Sequence, residues 1–288
     1  MNQSDLLTAL VSAGESRPLE SNEIASLNEI WSDILTRAGC SVDLSGHEEF
    51  VRRMVAGGKR IPVKLIGLVD WYIYGEYWIN EWGGAFNGQA SRLKIFQELV
   101  KAGGLSCVIE TGTYRGDTTI VIARESRVPV YTTELNPRCY EFSKQRLYAA
   151  KDLQIYQLDS RVFINKLAQD PYVPKERAFF YLDAHWGKDL PLRDEVRLIA
   201  DVWSDTVIMI DDFRVPGDDG YNYDDYGDGF ELCLDYLQLD KCSSLEVYWP
   251  GTSSAQETGR RRGCVILATP GYFRNKPDVL KTLRRHEG

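Results

Sequence analysis

The sequence predicts an α/β fold: a mostly parallel sheet of seven strands with helices on both faces, preceded by an N-terminal helical segment. Three observations predict it. From residue 104 onward, short apolar runs alternate with stretches of helical period. The first five of those runs end in an acid, at Glu110, Glu134, Asp159, Asp183 and Asp211. At 288 residues and 43% hydrophobic, the chain is long enough to bury one large core with a smaller appendage. The division expected is a helical, aromatic segment over 1–84, the main domain over 85–270, and a tail over 271–288.

Residues 1 to about 18 are polar and read as loosely ordered. Ser21 is placed to cap a helix whose Ile24, Leu27, Trp31, Ile34 and Leu35 fall on one stripe, ending near Gly39. A second helix is expected from Gly46 to Val55, stopping at Gly57-Gly58. The aromatic residues Trp71, Tyr72, Tyr74, Tyr77, Trp78, Trp82 and Phe86 suit packing of the N-terminal segment, or else one wall of a substrate pocket. Asn87 to Arg92 leads into a helix over Leu93 to Lys101, and Gln89 and Arg92 are ligand candidates, Arg92 equally a surface ion pair.

Leu105 to Ile109 read as the first strand, with Glu110, Gly112 and Gly116 in the turn after it and Thr118 to Arg124 helical. The next strands are Val128 to Thr133, Leu153 to Leu158, Ala178 to Leu182 and Val207 to Ile210. Asn136-Pro137 is a specific helix start, a side-chain cap followed by proline at the first helical position. Another helix begins at Pro191, with Leu192, Val196, Ile199 and Trp203 on one face. A helix near Phe230 to Leu239 precedes the last two strands, Leu245 to Trp249 and Cys264 to Ala268.

Net charge excludes one class of partner. With 34 basic against 42 acidic residues, the chain stands at −8 and is a poor grip for phosphate backbones, so no nucleic acid is expected. The one dense basic cluster, Arg260-Arg-Arg262, reads as a solvated loop edge. Cysteines 40, 107, 139, 233, 242 and 264 form no C-x-x-C pair, which favours a reducing cytoplasm over structural zinc. No signal peptide and no run of the roughly 18 apolar residues that span a bilayer is present, so a cytoplasmic location without membrane contact is expected. A homo-oligomer is compatible with all of this.

The chain is organised around Cys107-Val-Ile-Glu-Thr-Gly-Thr-Tyr-Arg-Gly-Asp117. A glycine-bearing turn between strand and helix lets backbone pass close to a ligand, with the helix's free N–H groups facing the same crevice. It is not G-x-G-x-x-G, because Tyr114 stands where a second glycine would be, and no Gly-Lys-Ser/Thr follows. These residues resemble the first motif of class I S-adenosylmethionine (SAM) methyltransferases, and the E-x-G-x-(aromatic)-x-G form is similar to the macrocin-type sugar O-methyltransferases. The resemblance implies a Rossmann-like fold over residues 85–270 and SAM as cofactor, contacted by Glu110, Gly112, Tyr114 and Gly116.

Acids at strand ends should line one crevice, where open α/β sheets bind ligands. Glu134, ending the second strand, can accept both ribose hydroxyls, or can support the helix at Asn136. Asp159 and Ser160 match the position that contacts the adenine amino group, unless Ser160 caps the following helix. Asp183, Asp211 and Asp212 end adjacent strands about 4.8 Å apart and could share a hard cation. They resemble the metal site of catechol-type and macrocin-type O-methyltransferases, which implies Mg2+ or another divalent ion holding the acceptor hydroxyl. His185 is the candidate general base, with Lys188 as the alternative and Asp183 beside them, or else a structural histidine. The acidic, aromatic loop from Val215 to Gly227 reads as a lid whose Tyr221, Tyr223 and Tyr226 stack on a small-molecule acceptor. Two rivals share these features: a cephalosporin hydroxylase-like enzyme, whose D-x-H and D-D motifs look similar, and a SAM-binding scaffold without turnover.

Overall fold

The computed structural model describes residues 3–57, 61–239 and 245–287. Five helices open the chain: α1 (Gln3–Ser16), α2 (Ser21–Arg37), α3 (Leu44–Gly57), α4 (Val63–Tyr72) and the single turn α5 (Gly75–Trp78). Beyond a 3-10 turn at Ala85–Gly88 the chain alternates through α6 (Ala90–Lys101), β1 (Cys107–Thr111), α7 (Asp117–Ser126), β2 (Val130–Thr133) and α8 (Pro137–Leu147). The alternation continues with β3 (Leu153–Tyr156), α9 (Ser160–Gln169), β4 (Ala178–Leu182), α10 (Leu192–Val202) and β5 (Val207–Ile210). Last come the short α11 (Leu234–Leu237), β6 (Glu246–Pro250), β7 (Val265–Ala268), α12 (Pro277–Leu280) and β8 (Leu283–Arg285). Two expectations, the stop at Gly58 and the state of Cys242, fall outside the described residues.

The chain divides into two compact units, 1–79 with 136–149, and 80–135 with 150–288. The first is helical. Residues expected to be loose instead form α1, whose Leu10 is buried with Leu27, Trp31 and Leu35 of α2 and Leu65, Ile66 and Leu68 of α4. Leu6, Leu7 and Val11 pack beside Leu10 on the same core, so the expectation overlooked an apolar side of helical spacing. The cap of α2 is Glu20 rather than Ser21, its backbone N–H donating to Glu23 Oε2 at 2.8 Å. On α8, Asn136 Oδ1 accepts from Arg138 N at 2.9 Å, as the Asn-Pro start requires. Helix α4 lies against α8 so closely that a Cβ on Gly67 would stand 2.5 Å from the Arg138 carbonyl oxygen. Beneath that crossing, His47 Nε2 lies 2.7 Å from Asp70 Oδ1, Trp31 Nε1 donates to His47 Nδ1 at 3.1 Å, and Arg138 pairs with Asp70. These four side chains are therefore joined to one another.

The second unit carries the sheet, in the order β3-β2-β1-β4-β5-β7-β6-β8. Strands β1 to β5 pair in parallel, and β7 runs antiparallel between β5 and β6. The seven expected strands close in a hairpin-like pair, and an eighth, β8, adds to β6 at the edge. The stretch 271–288, expected as a tail, supplies that strand and α12. Alternate residues of β1, β4 and β5 feed two cores. On one face Ile109, Phe180 and Ile210 pack with Phe163 of α9 and Val196 of α10; on the other Val108, Phe179 and Met209 pack with Phe96 of α6 and Ile122 of α7. Each such side chain contributes about 1.5–3 kcal/mol by leaving water.

The α10 face also holds a buried acid. Glu195 is fully buried and neither carboxyl oxygen makes a hydrogen bond, although the Ser160 and Thr111 hydroxyls stand near it. Burial outweighs those hydroxyls and pushes its pKa up to about 7. An unfolded glutamate titrates near pH ~4.3, so between that pH and 7 the folded chain holds a proton the unfolded chain has released. Folding is therefore weakened at this group as pH rises through that window. Glu195→Gln stays neutral throughout, so its melting temperature should gain on wild type steadily from pH 4.5 to pH 7.5. A difference between the two proteins that is flat with pH contradicts a protonated Glu195.

Candidate active site

The crevice begins where β1 ends. Glu110 lies inside β1, paired across to Thr132 of β2 and Tyr181 of β4, rather than in the turn. Its buried carboxyl accepts from Thr119 and Thr132 hydroxyls at 2.6 Å each, and burial raises its pKa to about 7. The structure thus places this acid under α7, because the strand runs two residues further than its apolar run. Gly112 follows at φ 83°, where a Cβ would stand 2.3 Å from the Asp183 carbonyl oxygen, so only glycine lets the ends of β1 and β4 approach. Gly112 N and Thr113 N both donate to Thr133 O at 3.0 Å, tying the turn to β2.

Tyr114 occupies the left-handed region at φ 48°, costly for an aromatic residue. Two contacts hold it there. Its backbone N–H donates to Glu134 Oε2 at 2.7 Å, and its hydroxyl donates to Glu81 Oε2 at 2.6 Å, which also takes Arg115 at 2.6 Å. Gly116, at φ 81°, then starts α7. Glu134 is thereby fixed at the mouth of the turn, half-buried, at the end of β2. Further along, Asp159 rather than Ser160 is the cap of α9: it accepts from Arg161 N at 2.9 Å and pairs with the Arg161 side chain at 2.8 Å. Those bonds hold the Asp159 pKa below the usual carboxylate value, while Ser160 is buried in the first turn of the helix.

At the ends of β4 and β5 three side chains come together: Asp183, His185 and Asp212. His185 Nε2 lies 3.8 Å from Asp183 Oδ1 and 4.0 Å from Asp212 Oδ2. The imidazole is only 2% exposed and neither ring nitrogen has a hydrogen-bond partner. Burial pulls its pKa down to about 4, so it is neutral near pH 7. Burial and the neighbouring Asp211 raise the pKa of Asp212 to about 7, and burial with Asp211 and Asp212 raises that of Asp183. The Asp183 side chain is 32% exposed.

Asp211 is not part of this cluster. It turns inward, where Oδ1 accepts from Arg92 and from the Asp212 backbone N–H at 2.6 Å, and Oδ2 accepts from Tyr181 and from Asn87 Nδ2 at 3.0 Å. Both acids lie past β5, which ends at Ile210, and the backbone turns through the left-handed region at Asp212 (φ 51°), so the second carboxyl leaves the direction followed by the first. Lys188 is absent from it as well: it pairs with Asp228 on the surface. Arg92 is not a surface pair but a fully buried counter-ion whose NH2 group reaches the Arg262 and Gly263 carbonyls. Gln89 Oε1 accepts from Arg262 N at 2.8 Å.

Arg262, read from sequence as part of a solvated loop edge, supports the site. Its Nε donates to Asp212 Oδ1 at 2.6 Å and its NH2 group reaches Asp224. Tyr226 donates to the His185 carbonyl at 2.8 Å and lies 2.7 Å from Asp224 Oδ2, while Tyr221 is buried and donates to Thr252 O at 2.9 Å. The segment expected to be a lid is fastened by two of its tyrosines. Only the spacing of carboxylates was visible beforehand, and nothing in the arginine run marked Arg262. Trp82, from the aromatic stretch, stands 6.2 Å from Trp186 at the rim, while Phe86 is in the sheet core.

Removing Arg92 leaves a buried carboxylate without its cation. Arg92→Ala should lower unfolding free energy by about 3–5 kcal/mol, read from urea denaturation. Arg92→Lys should recover little of this, because one ammonium cannot replace a fork that serves a carboxylate and two carbonyls. Near-complete recovery by lysine contradicts that geometry.

No protein-family model matches the chain, and no curated protein matches it by sequence. Among solved structures it is similar to the O-methyltransferase TomG of Streptomyces achromogenes, solved with SAM, at 14% identity, 73% of this chain, 91% of that one and TM-score 0.47. It is similar to a Bacillus cereus O-methyltransferase solved with S-adenosylhomocysteine, at 15% identity, 85% and 97% coverage and TM-score 0.42. An rRNA methylase from Streptococcus thermophilus also matches, at 18% identity, 60% and 93% coverage and TM-score 0.39. Likenesses this distant carry no argument about chemistry, which rests on the residues of the site itself.

Proposed function

We propose that the protein is an enzyme that transfers the methyl group of SAM to a hydroxyl of a small acceptor. The observation that carries this reading is the Tyr114–Glu134 clasp at the ends of β1 and β2, one strand over from the Asp183–His185–Asp212 cluster at the ends of β4 and β5. From β2 to β5 is three strand spacings, roughly 14 Å. That span suits a nucleoside joined to an amino-acid arm: a carboxylate for ribose hydroxyls at one end, proton acceptors at the other. A pyrophosphate is disfavoured, because the turn brings Glu134 to its mouth and contains no lysine.

In this reaction the acceptor oxygen attacks the methyl carbon in line with the breaking carbon–sulfur bond. The electron pair stays on sulfur, which leaves as a neutral thioether. The hydroxyl proton passes to the Asp183–His185–Asp212 cluster, in which burial makes the imidazole a neutral but weak base and the raised pKa of Asp212 makes its carboxylate, when ionised, the stronger acceptor. Magnesium on Asp183, Asp211 and Asp212 does not fit, since both Asp211 oxygens are engaged by protein donors, and no step is drawn through such an ion. The acceptor class, a sugar or secondary metabolite, rests on the family resemblance alone.

SAM should bind to the full chain in a calorimetric titration. Glu134→Ala should weaken that binding by about 1.5–3 kcal/mol through loss of charge-assisted hydrogen bonds. Tight binding of a nicotinamide dinucleotide with no heat from SAM contradicts the assignment.

A further inference from the structure

The nucleoside end of the crevice is held in shape by a residue that precedes the sheet. We propose that Glu81 is a positioning residue for cofactor binding, fixing Tyr114 in the left-handed conformation that aims its N–H at Glu134. This rests on the reading of Glu134 as the ribose contact.

Three observations carry it. The first is a conformation that needs a cause. Tyr114 stands at φ 48°, where glycine is at ease and an aromatic residue is not. In that conformation its N–H donates to Glu134 Oε2 at 2.7 Å, a bond that sets the plane of the carboxylate. The second is the anchor. Glu81 Oε2 accepts from the Tyr114 hydroxyl and from Arg115 Nη1, both at 2.6 Å, so one oxygen carries donors from consecutive residues of the turn. The Arg115 side chain is buried, and its guanidinium lies 5.1 Å from the Tyr114 ring centroid. Relaxing Tyr114 to negative φ swings its ring away from Glu81 and breaks a charge-assisted bond.

The third is that Glu81 is held independently of Tyr114. Its carbonyl accepts from Arg260 Nη2 at 3.0 Å. Beside it Asn80 N donates to Asp117 Oδ2 at 3.1 Å, and further on Phe86 N donates to the Thr118 hydroxyl at 3.1 Å. Both acceptors belong to the first turn of α7. Over residues 80–88, Asn80, Gly83, Gly84, Phe86, Asn87 and Gly88 all stand at positive φ. A stretch that keeps such conformations, three of them at residues other than glycine, is over-determined by its surroundings. The constraint therefore runs from this segment through Glu81 and Tyr114 to Glu134. A carboxylate whose orientation is already set loses less freedom when the ribose hydroxyls meet it, and that difference appears as affinity.

The test measures SAM binding by calorimetry, with adenosine as competitor, on the full chain and four variants. Tyr114→Phe deletes one hydroxyl and leaves the Glu81–Arg115 pair, which guards against a variant that fails to fold. It should weaken SAM by about five- to tenfold. Glu81→Ala should weaken SAM at least as much, and adding Tyr114→Phe to it should cost nothing further, because both changes remove the same bond. Glu81→Gln keeps an acceptor for the hydroxyl and should stay within about threefold of wild type, a recovery that a purely charge-based role does not give. Adenosine lacks the amino-acid arm and should weaken by the same factor as SAM, since the effect is delivered at the ribose. Unchanged affinity in Tyr114→Phe, additive losses in the double variant, or no recovery in Glu81→Gln overturns the inference. So does an effect confined to SAM, with adenosine unaffected or unable to compete, which makes Glu81 a contact of the arm. A wild-type chain that binds neither SAM nor adenosine fails the methyltransferase reading itself and takes the inference with it.

Discussion

The buried pair between Arg92 and Asp211 is the interaction on which the rest of the site depends. Arg92 comes from α6, before the sheet begins, and Asp211 from the end of β5, more than a hundred residues later. The same guanidinium reaches the carbonyls of Arg262 and Gly263, so one cation joins three segments of the second unit. Backbone bonds extend the joint: Arg260 N donates to Asn87 O, and Ala90 N to the Thr258 hydroxyl. Through this joint Arg262 is set against Asp212, and Asp212 against His185. A buried ion pair is weak evidence for stability, because desolvation offsets attraction, but it is demanding about geometry. Here that demand aligns the second carboxylate of the Asp211-Asp212 pair with the crevice.

Electrostatics then divide the acids into two kinds. Glu110, Glu195 and Asp211 lie within the protein, held by threonines, by burial alone, or by a cation. Glu134, Asp183 and Asp212 retain exposure and stand at strand ends. Carboxylates this close repel one another, and at Asp212 burial and Asp211 outweigh the Arg262 guanidinium, so the proton is held more tightly. A site of this kind is primed for a cation or for a proton in transit.

Much of the fold could be read from the chain, and the reason is periodicity. Five apolar runs of four to six residues, the first four each followed by a helical stretch, left little freedom in how the parallel strands alternate with helices, and Asn136-Pro137 located the start of α8 closely. Edges were less legible. The strand at Leu283–Arg285 carries two arginines and pairs on one side only, so no hydrophobic pattern announced it. Helix α1 was legible in Leu6, Leu7, Leu10 and Val11, which recur at helical spacing and were overlooked. At the site, spacing located the crevice but could not tell which acid of an adjacent pair faces it; that depends on the left-handed turn of the backbone at Asp212, which no neighbouring residue type announced. Arg262 and Arg92 were invisible as supports because their partners lie far away in sequence.

The central claim is that one crevice, along the carboxyl ends of β2, β1, β4 and β5, holds a nucleoside at Glu134 and directs its reactive end to Asp183, His185 and Asp212. A crystal structure of the full chain with S-adenosylhomocysteine tests it most directly. The account predicts both ribose hydroxyls on the Glu134 carboxylate and the sulfur turned towards the His185 cluster. A nucleoside bound elsewhere, or in this crevice with Glu134 untouched, would contradict it.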